Sequence, residues 1–209
     1  MKKKDTPAKD AALTPRIVEA ARELFAAYGF DRIKMDDVAK SLGISKKTLY
    51  RHFRSKEQLF EAAIMVTVNG WKARHEAIRE NRKLACMGKL RELTTFIADC
   101  YSRMSRPLAE DVRRRAPGAW EAIETMRRGI VFGTLAGLLD RAVKEGLYAK
   151  DADRELGLVL YYEFSKNVLT PDFLTRYPYS AAQVNAVVRR LFFDRLLTAR
   201  GRAQLKAEP

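Results

Sequence analysis

Lys46, Lys47 and Thr48 stand side by side, and Tyr50, Arg51, His52 and Lys56 follow within the next few positions. Side chains of these types suit one kind of chemistry. Lys and Arg donate to guanine acceptors and to phosphate oxygens, a Thr methyl can touch a thymine methyl, and Tyr and His donate to phosphate. No acid–base or nucleophilic constellation competes with them. His52 and His75 are the only histidines, and neither lies in a cluster with metal-ligand spacing. The expectation is a binding protein and not an enzyme, with no catalytic residue, no metal and no cofactor.

Such side chains reach one ligand together only if short elements hold them. A helix-turn-helix needs a small residue at a tight turn, apolar residues pinning two helices, and polar residues facing out at the start of the second helix. Gly43 supplies the turn, and Val38, Ala39, Leu42, Ile44 and Leu49 supply the pins. A helix over about 35–42 then precedes a recognition helix over about 46–53, capped by Ser45, with Lys46, Lys47 and Thr48 on its first turn. Phe53 is expected in the core and Tyr50 outside it. Ser55 caps the next helix, with Gln58 three residues on in a capping-box pattern. Lys56 lies on that helix's first turn, where unpaired N–H groups and the dipole already favour an anion. An earlier helix is expected to start at Thr14-Pro15 and end at Gly29, with Ile17, Ala20, Ala21, Leu24, Phe25 and Tyr28 on one apolar face.

The segment from Thr14 to Leu59 resembles the DNA-binding domain of TetR-type transcriptional repressors. The resemblance is carried by Ala21, Leu24, Phe25, Tyr28-Gly29-Phe30, Met35, Val38-Ala39, Leu42-Gly43-Ile44-Ser45, Thr48-Leu49-Tyr50, His52-Phe53 and Ser55-Lys56-Glu57-Gln58-Leu59. It implies an all-α fold, with an N-terminal three-helix helix-turn-helix domain followed by a larger helical domain that dimerises and binds a small effector. It implies phosphate contacts from Tyr50, His52 and Lys56, and groove-facing roles for Lys46, Lys47 and Thr48. Where such proteins often have a capping Thr before the second helix, this chain has Lys34. Lys34 can reach phosphate but cannot cap. The DNA-binding set is therefore Lys34, Ser45, Lys46, Lys47, Thr48, Tyr50, Arg51, His52 and Lys56.

Composition agrees with a polyanionic partner. The 209 residues include 40 Lys and Arg against 26 Asp and Glu, a formal net charge of +14. The expected organisation is a flexible basic arm over 1–13, a helix-turn-helix domain over 14–60 with its motif at about 34–53, a helical effector-binding and dimerisation domain over 61–200, and a polar tail over 201–209. The Lys2-Lys3-Lys4 arm is either a DNA contact or a solubilising tail. Helices are expected at about 56–80, 84–104, 107–115, 118–145, 152–170 and 180–199, with Asp151 capping the fifth of these. Cys86 and Cys100 lack a Cys-x-x-Cys spacing, which suits buried thiols in a reduced compartment, a redox pair being the alternative. With no apolar segment behind the N-terminal lysines and no run near the roughly 20 residues that span a bilayer, a cytoplasmic protein with no membrane partner is expected.

In the larger domain Gly129, Gly133 and Gly137 recur every four residues, forming a smooth ridge on a helix. Beside it, Trp71, Phe96, Tyr101, Met104, Trp120, Met126, Gly133, Tyr161 and Tyr162 are the candidate pocket for a small apolar or amphipathic effector. The last two long helices carry more apolar surface than a single small domain needs. Leu158, Phe164, Val184, Val188, Leu191 and Phe192 are the candidate interface of a homodimer built as a four-helix bundle. Such a dimer would bind a pseudo-palindromic operator of double-stranded DNA, as a repressor released by its effector. The alternative is a DNA-bound scaffold that recruits a protein partner and takes no effector.

Overall fold

The computed structural model describes residues 7–207 apart from Ala152, with side chains from 12 to 204. Lys2, Lys3 and Lys4 lie outside the described residues. The elements are helical: α1 (Pro7–Tyr28), α2 (Met35–Ser41), α3 (Lys46–His52), α4 (Lys56–Glu80), α5 (Cys86–Ser102), α6 (Arg106–Arg115), α7 (Pro117–Arg128), a π-helical segment (Gly129–Leu135), α8 (Ala136–Lys144), α9 (Arg154–Val168), α10 (Pro171–Arg176), α11 (Ala181–Phe192), a 3-10 turn (Asp194–Leu196) and α12 (Ala199–Ala207). The all-α class is as expected. Among the described residues, the sole extended pairing is an isolated antiparallel bridge between Tyr148 and Leu197.

The chain divides into two compact units. One holds the residues up to Gly70 together with Pro107–Ile123, and the other holds Trp71–Arg106 and the chain from Glu124 on. The expected split at residue 60 misses the return of 107–123 to the first unit. Arg115 shows why it returns. Its guanidinium pairs with Asp31 at 2.7 Å and lies 4.2 Å from the Phe30 ring centroid, contacts across a sequence gap that no local pattern reveals.

In the first unit, α1 buries Ile17, Val18, Ala21 and Phe25. It begins earlier than Thr14-Pro15. Pro7 suits a first helical position, and Ala8 to Leu13 contain no breaker, so the helix runs through Pro15 despite the hydrogen bond that proline forfeits. Residues 7–13 are therefore helical and not part of a flexible arm. Tyr28 was expected on the buried face but is 57% exposed. The chain turns at Gly29 (φ 78°), and Phe30 takes the inner position instead. Phe25, Phe30 and Phe60 then pack with ring centroids 5.0–5.8 Å apart, two of the three pairs edge-on.

The second unit is built around α5, whose buried Leu90, Leu93, Phe96 and Ile97 meet Leu135 and Leu139, Tyr161 of α9 and Val188 of α11. The helix expected over 118–145 is interrupted by the π-helical segment, so its glycines do not follow an α-helical i+4 ridge. Gly129, Gly133 and Gly137 are all exposed, and a Cβ added at any of them would meet nothing within 4 Å. Within the protomer they do not serve close packing. Asp153, not Asp151, caps α9, accepting from the Leu156 N–H at 3.0 Å. Thr170 and Pro171 start a further short helix, α10, because the threonine caps it and the proline suits its first position. The expected polar tail is helical as far as Ala207. Thr198 accepts from the Gly201 N–H at 3.1 Å and donates to the Gly146 carbonyl at 2.8 Å, anchoring α12. Gly201 is needed there, since a Cβ would run into the Leu147 carbonyl oxygen.

Phe60 is fully buried at the meeting point of two edge-on aromatic contacts. Phe60→Ala is expected to destabilise the first unit by about 3–5 kcal/mol, read as a lower urea midpoint.

Candidate nucleic-acid interface

The turn between α2 and α3 is a Schellman closure. The Gly43 N–H donates to the Lys40 carbonyl at 3.1 Å and the Ile44 N–H to the Ala39 carbonyl at 3.0 Å, with Gly43 at φ 64°. Ser45 then caps α3 at once, its Oγ accepting from the Thr48 N–H at 3.1 Å. The same Oγ lies 2.8 Å from the Thr48 hydroxyl, so these two polar groups are engaged with each other. Leu49 is fully buried beneath them with Val38 and Ala39, whereas Lys46, Lys47, Tyr50 and Arg51 are exposed.

Three neighbours that the sequence reading passed over set the electrostatics. Asp36, on the first turn of α2, holds the Lys46 ammonium at 2.9 Å, and this hydrogen bond raises the Lys46 pKa. Asp37 completes the cap that Lys34 cannot make, because its carboxylate accepts from the Lys34 backbone N–H at 2.8 Å. Its position three residues into the helix was a visible capping signal. Phe30 lies under Lys56, whose ammonium is 4.1 Å from the ring centroid. Burial lowers the Lys56 pKa, Asp31 opposes that and Arg115 adds to it.

Helix α4 starts as the Ser55 pattern suggests, with Ser55 Oγ accepting from the Gln58 N–H at 3.1 Å. The return bond differs: Gln58 Oε1 accepts from the Arg54 N–H at 3.0 Å. His52 is half-buried, and its Nδ1 lies 2.8 Å from Thr14 Oγ1. Thr14, expected to cap α1, instead ties that helix to the end of α3. Phe53 is half-buried, not fully enclosed.

The effector candidates sort differently in the second unit. Phe96, Ile97, Cys100 and Tyr101 of α5 face Met126 and Arg127 of α7 and Ile130 and Val131 of the π segment across a crevice of about 10 Å³. That is room for about one water, against the several hundred Å³ that small ligands fill. Phe96, Tyr101 and Met126 are thus brought together. Met104 reaches Arg127, and Tyr162 joins the same network through Glu124. Tyr161 is instead packed against Phe193 with ring centroids 4.9 Å apart, and Trp71 packs on the rim of the core. Two residues do not fit a pocket here. Trp120 lies in the first unit, and Gly133 faces outward because the π segment turns it from the core. Burial raises the Cys100 thiol pKa to about 12, keeping it protonated and unreactive.

The sequence profile described as "Bacterial regulatory proteins, tetR family" matches residues 17–63. Residues 17–63 thus match the amino-terminal domain of the TetR family. The HTH-type transcriptional regulator UidR of Escherichia coli (strain K12) is 50% identical over 50 residues, 24% of this chain and 26% of that protein. The uncharacterized HTH-type transcriptional regulator YvaF of Bacillus subtilis (strain 168) is 23% identical over 178 residues, 85% of this chain and 92% of that protein. A solved structure of a transcriptional regulator from Cytophaga hutchinsonii matches with a TM-score of 0.69 at 18% identity, over 90% of this chain and 100% of that one, and so shares its fold. Both named relatives are helix-turn-helix transcriptional regulators, and the matched residues 17–63 of this chain include the α2–turn–α3 unit.

The last two long helices also need correction as a contact surface. Leu158 and Val188 are at most 5% exposed and belong to the protomer's own core. Phe164, Val184 and Phe192 are half-buried against it. The outward stripe is Leu156, Val159 and Leu160 on α9 with Val187 and Leu191 on α11, each 43–52% exposed. Of the six residues assigned from the sequence, Leu191 is in that stripe and the other five turn toward the protomer's own core. Among the described residues, no group of His, Cys, Asp and Glu is arranged to hold a metal, and no helix is long and apolar enough to cross a membrane.

The Asp36–Lys46 pair generates a measurable expectation. Asp36→Asn should release Lys46 to the duplex and steepen the salt dependence of DNA affinity by about one unit, while Lys56→Ala should flatten it by about one unit. Affinities at four or five salt concentrations check both, and a slope unchanged in Asp36→Asn would remove Lys46 from the DNA-binding set.

Proposed function

We propose that this protein is a homodimeric repressor that binds a pseudo-palindromic operator and is released by a small amphipathic effector. The observation that carries the DNA-binding part is the short α3. It is locked to α2 by the Gly43 turn and the buried Leu49, and it presents Lys46, Lys47 and Tyr50 to solvent. Two such helices in a dimer enter successive major grooves about 34–36 Å apart. Lys47 and Thr48 read base edges. Lys34, Ser45, Tyr50, Arg51, His52 and Lys56 hold phosphate and fix register.

The dimer reading is supported by the outward stripe of Leu156, Val159, Leu160, Val187 and Leu191. Contiguous apolar surface of this kind on a monomer marks a contact site, and two packed helices bearing it form half of a four-helix bundle. The effector acts by binding better to the state whose recognition helices do not match the operator spacing.

A second reading has its own observation. A crevice of about 10 Å³ holds no effector as it stands, which suits a DNA-bound scaffold that recruits a protein partner instead.

Selection of bound fragments from sheared genomic DNA tests the central reading, with enrichment of one inverted-repeat sequence expected and uniform recovery counting against it. On that site, Lys47→Ala should cost about 1–3 kcal/mol and relax preference at one base position in each half-site. Leu191→Arg should give monomers in sedimentation and lose operator binding with α-helical content unchanged. A variant that stays dimeric would place the interface elsewhere.

A further inference from the structure

Arg127 is the one charged side chain buried among the described residues, at 7% exposure. Its Nη1 donates to Glu124 Oε1 at 2.8 Å, and its guanidinium lies 4.4 Å from the Tyr101 ring centroid. Glu124 is fully engaged, since its other oxygen accepts from the Tyr162 hydroxyl at 2.9 Å. Arg127 is not. Its Nε has no partner, and Nη2 reaches only the Met104 sulfur, a weak acceptor, at 3.4 Å. Nε and Nη2 form the edge of the guanidinium that offers two parallel N–H donors, the geometry that takes a carboxylate or phosphate bidentately.

A buried cation with its best edge unanswered is costly, and an apolar residue would pack there more cheaply. Arg127 also lines the crevice whose other walls are apolar side chains of α5 and of the π segment. The π segment is the second observation. π-helical turns are rare and concentrate at functional sites. This one carries Gly129 and Gly133, which weaken helical commitment and where an added Cβ would meet nothing within 4 Å. The crevice therefore has one wall able to change register and give way, moving Ile130 and Val131 with it.

We propose that this crevice is the collapsed form of a site for an anionic amphiphile, whose head takes the Nε–Nη2 edge of Arg127 in place of the Met104 sulfur and whose apolar tail parts α5 from the π segment. The proposal rests on the effector reading above and names the chemical class of that effector. Glu124, the nearest acid, competes with the head for the guanidinium.

The test uses the full chain and four ten-carbon probes, decanoate, decyl phosphate, decanol and decylammonium, each below its micelle concentration. Thermal unfolding is followed first. Decanoate or decyl phosphate should raise the midpoint by roughly 5 °C at saturation, with decanol and decylammonium giving much less. The two anions then separate a carboxylate from a phosphate ligand. Arg127→Met should abolish the preference for an anionic head. Glu124→Gln, which keeps Arg127 and the Tyr162 contact, should tighten binding of the preferred anion about tenfold by removing the competing charge. That variant keeps the test decisive if Arg127→Met does not fold. Decanol binding as well as both anions, no probe binding at all, or an anion affinity unchanged by Glu124→Gln would each overturn the proposal. If no probe binds while operator binding persists, the regulator reading stands and only the effector class falls. If the anion binds without weakening the operator complex, the site stands and release by effector falls.

Discussion

Helices of seven residues do not hold themselves together in water, where the first turn costs more order than its hydrogen bonds return. Both α2 and α3 are that short, so their geometry depends on the turn that joins them and the core beneath. The left-handed Gly43 closes α2 with two backbone hydrogen bonds, and Ser45 opens α3 two residues later. Leu49, Val38 and Ala39 then anchor both helices in the interior. An alanine at Gly43 would strain the positive φ and leave those carbonyls unanswered. Everything the exposed lysines can do follows from that narrow constraint.

Charge in this unit is arranged more finely than the net excess suggests. Asp36 holds Lys46 out in the solvent, and Phe30 gives Lys56 an aromatic face. Asp31 and Arg115 add a second ion pair at the same aromatic. Such partners restrict long, flexible side chains before any ligand arrives, which lowers the ordering cost of binding. They also moderate the raw attraction that an unpaired basic face would have for any polyanion.

The second unit faces a different constraint, because it must enclose a guanidinium. Glu124 and the Tyr101 ring stabilise Arg127 in part, and Tyr162 in turn holds Glu124. Burial, with the hydrogen bond to Glu124 adding, raises the Tyr162 pKa to about 12, so its hydroxyl stays a donor through the physiological range. The network is one donor edge short of closure, and the adjoining helix wall is π-helical. On the surface of this unit, α9 and α11 leave an apolar stripe in solvent.

Local signals in the sequence determined the head: the spacing of Gly43, Ser45 and Ser55, the apolar pins, and the lysines at two helix starts are each read within a few residues. They also determined that the remainder is helical. What they could not determine is which face of a long helix turns inward, since α9 is apolar on opposite sides: Leu158 is buried while Leu156 and Leu160, two residues away in either direction, are exposed. Nor could they show that Arg127, an ordinary i+3 partner of Glu124 on paper, is buried, that Arg115 reaches Asp31, or that the helix after residue 128 widens into a π segment. Caps and turns are settled by hydrogen bonds between near neighbours. Burial, ion pairs across the chain and helix register are settled only when distant segments compete for the same interior volume, and that competition belongs to the tertiary structure.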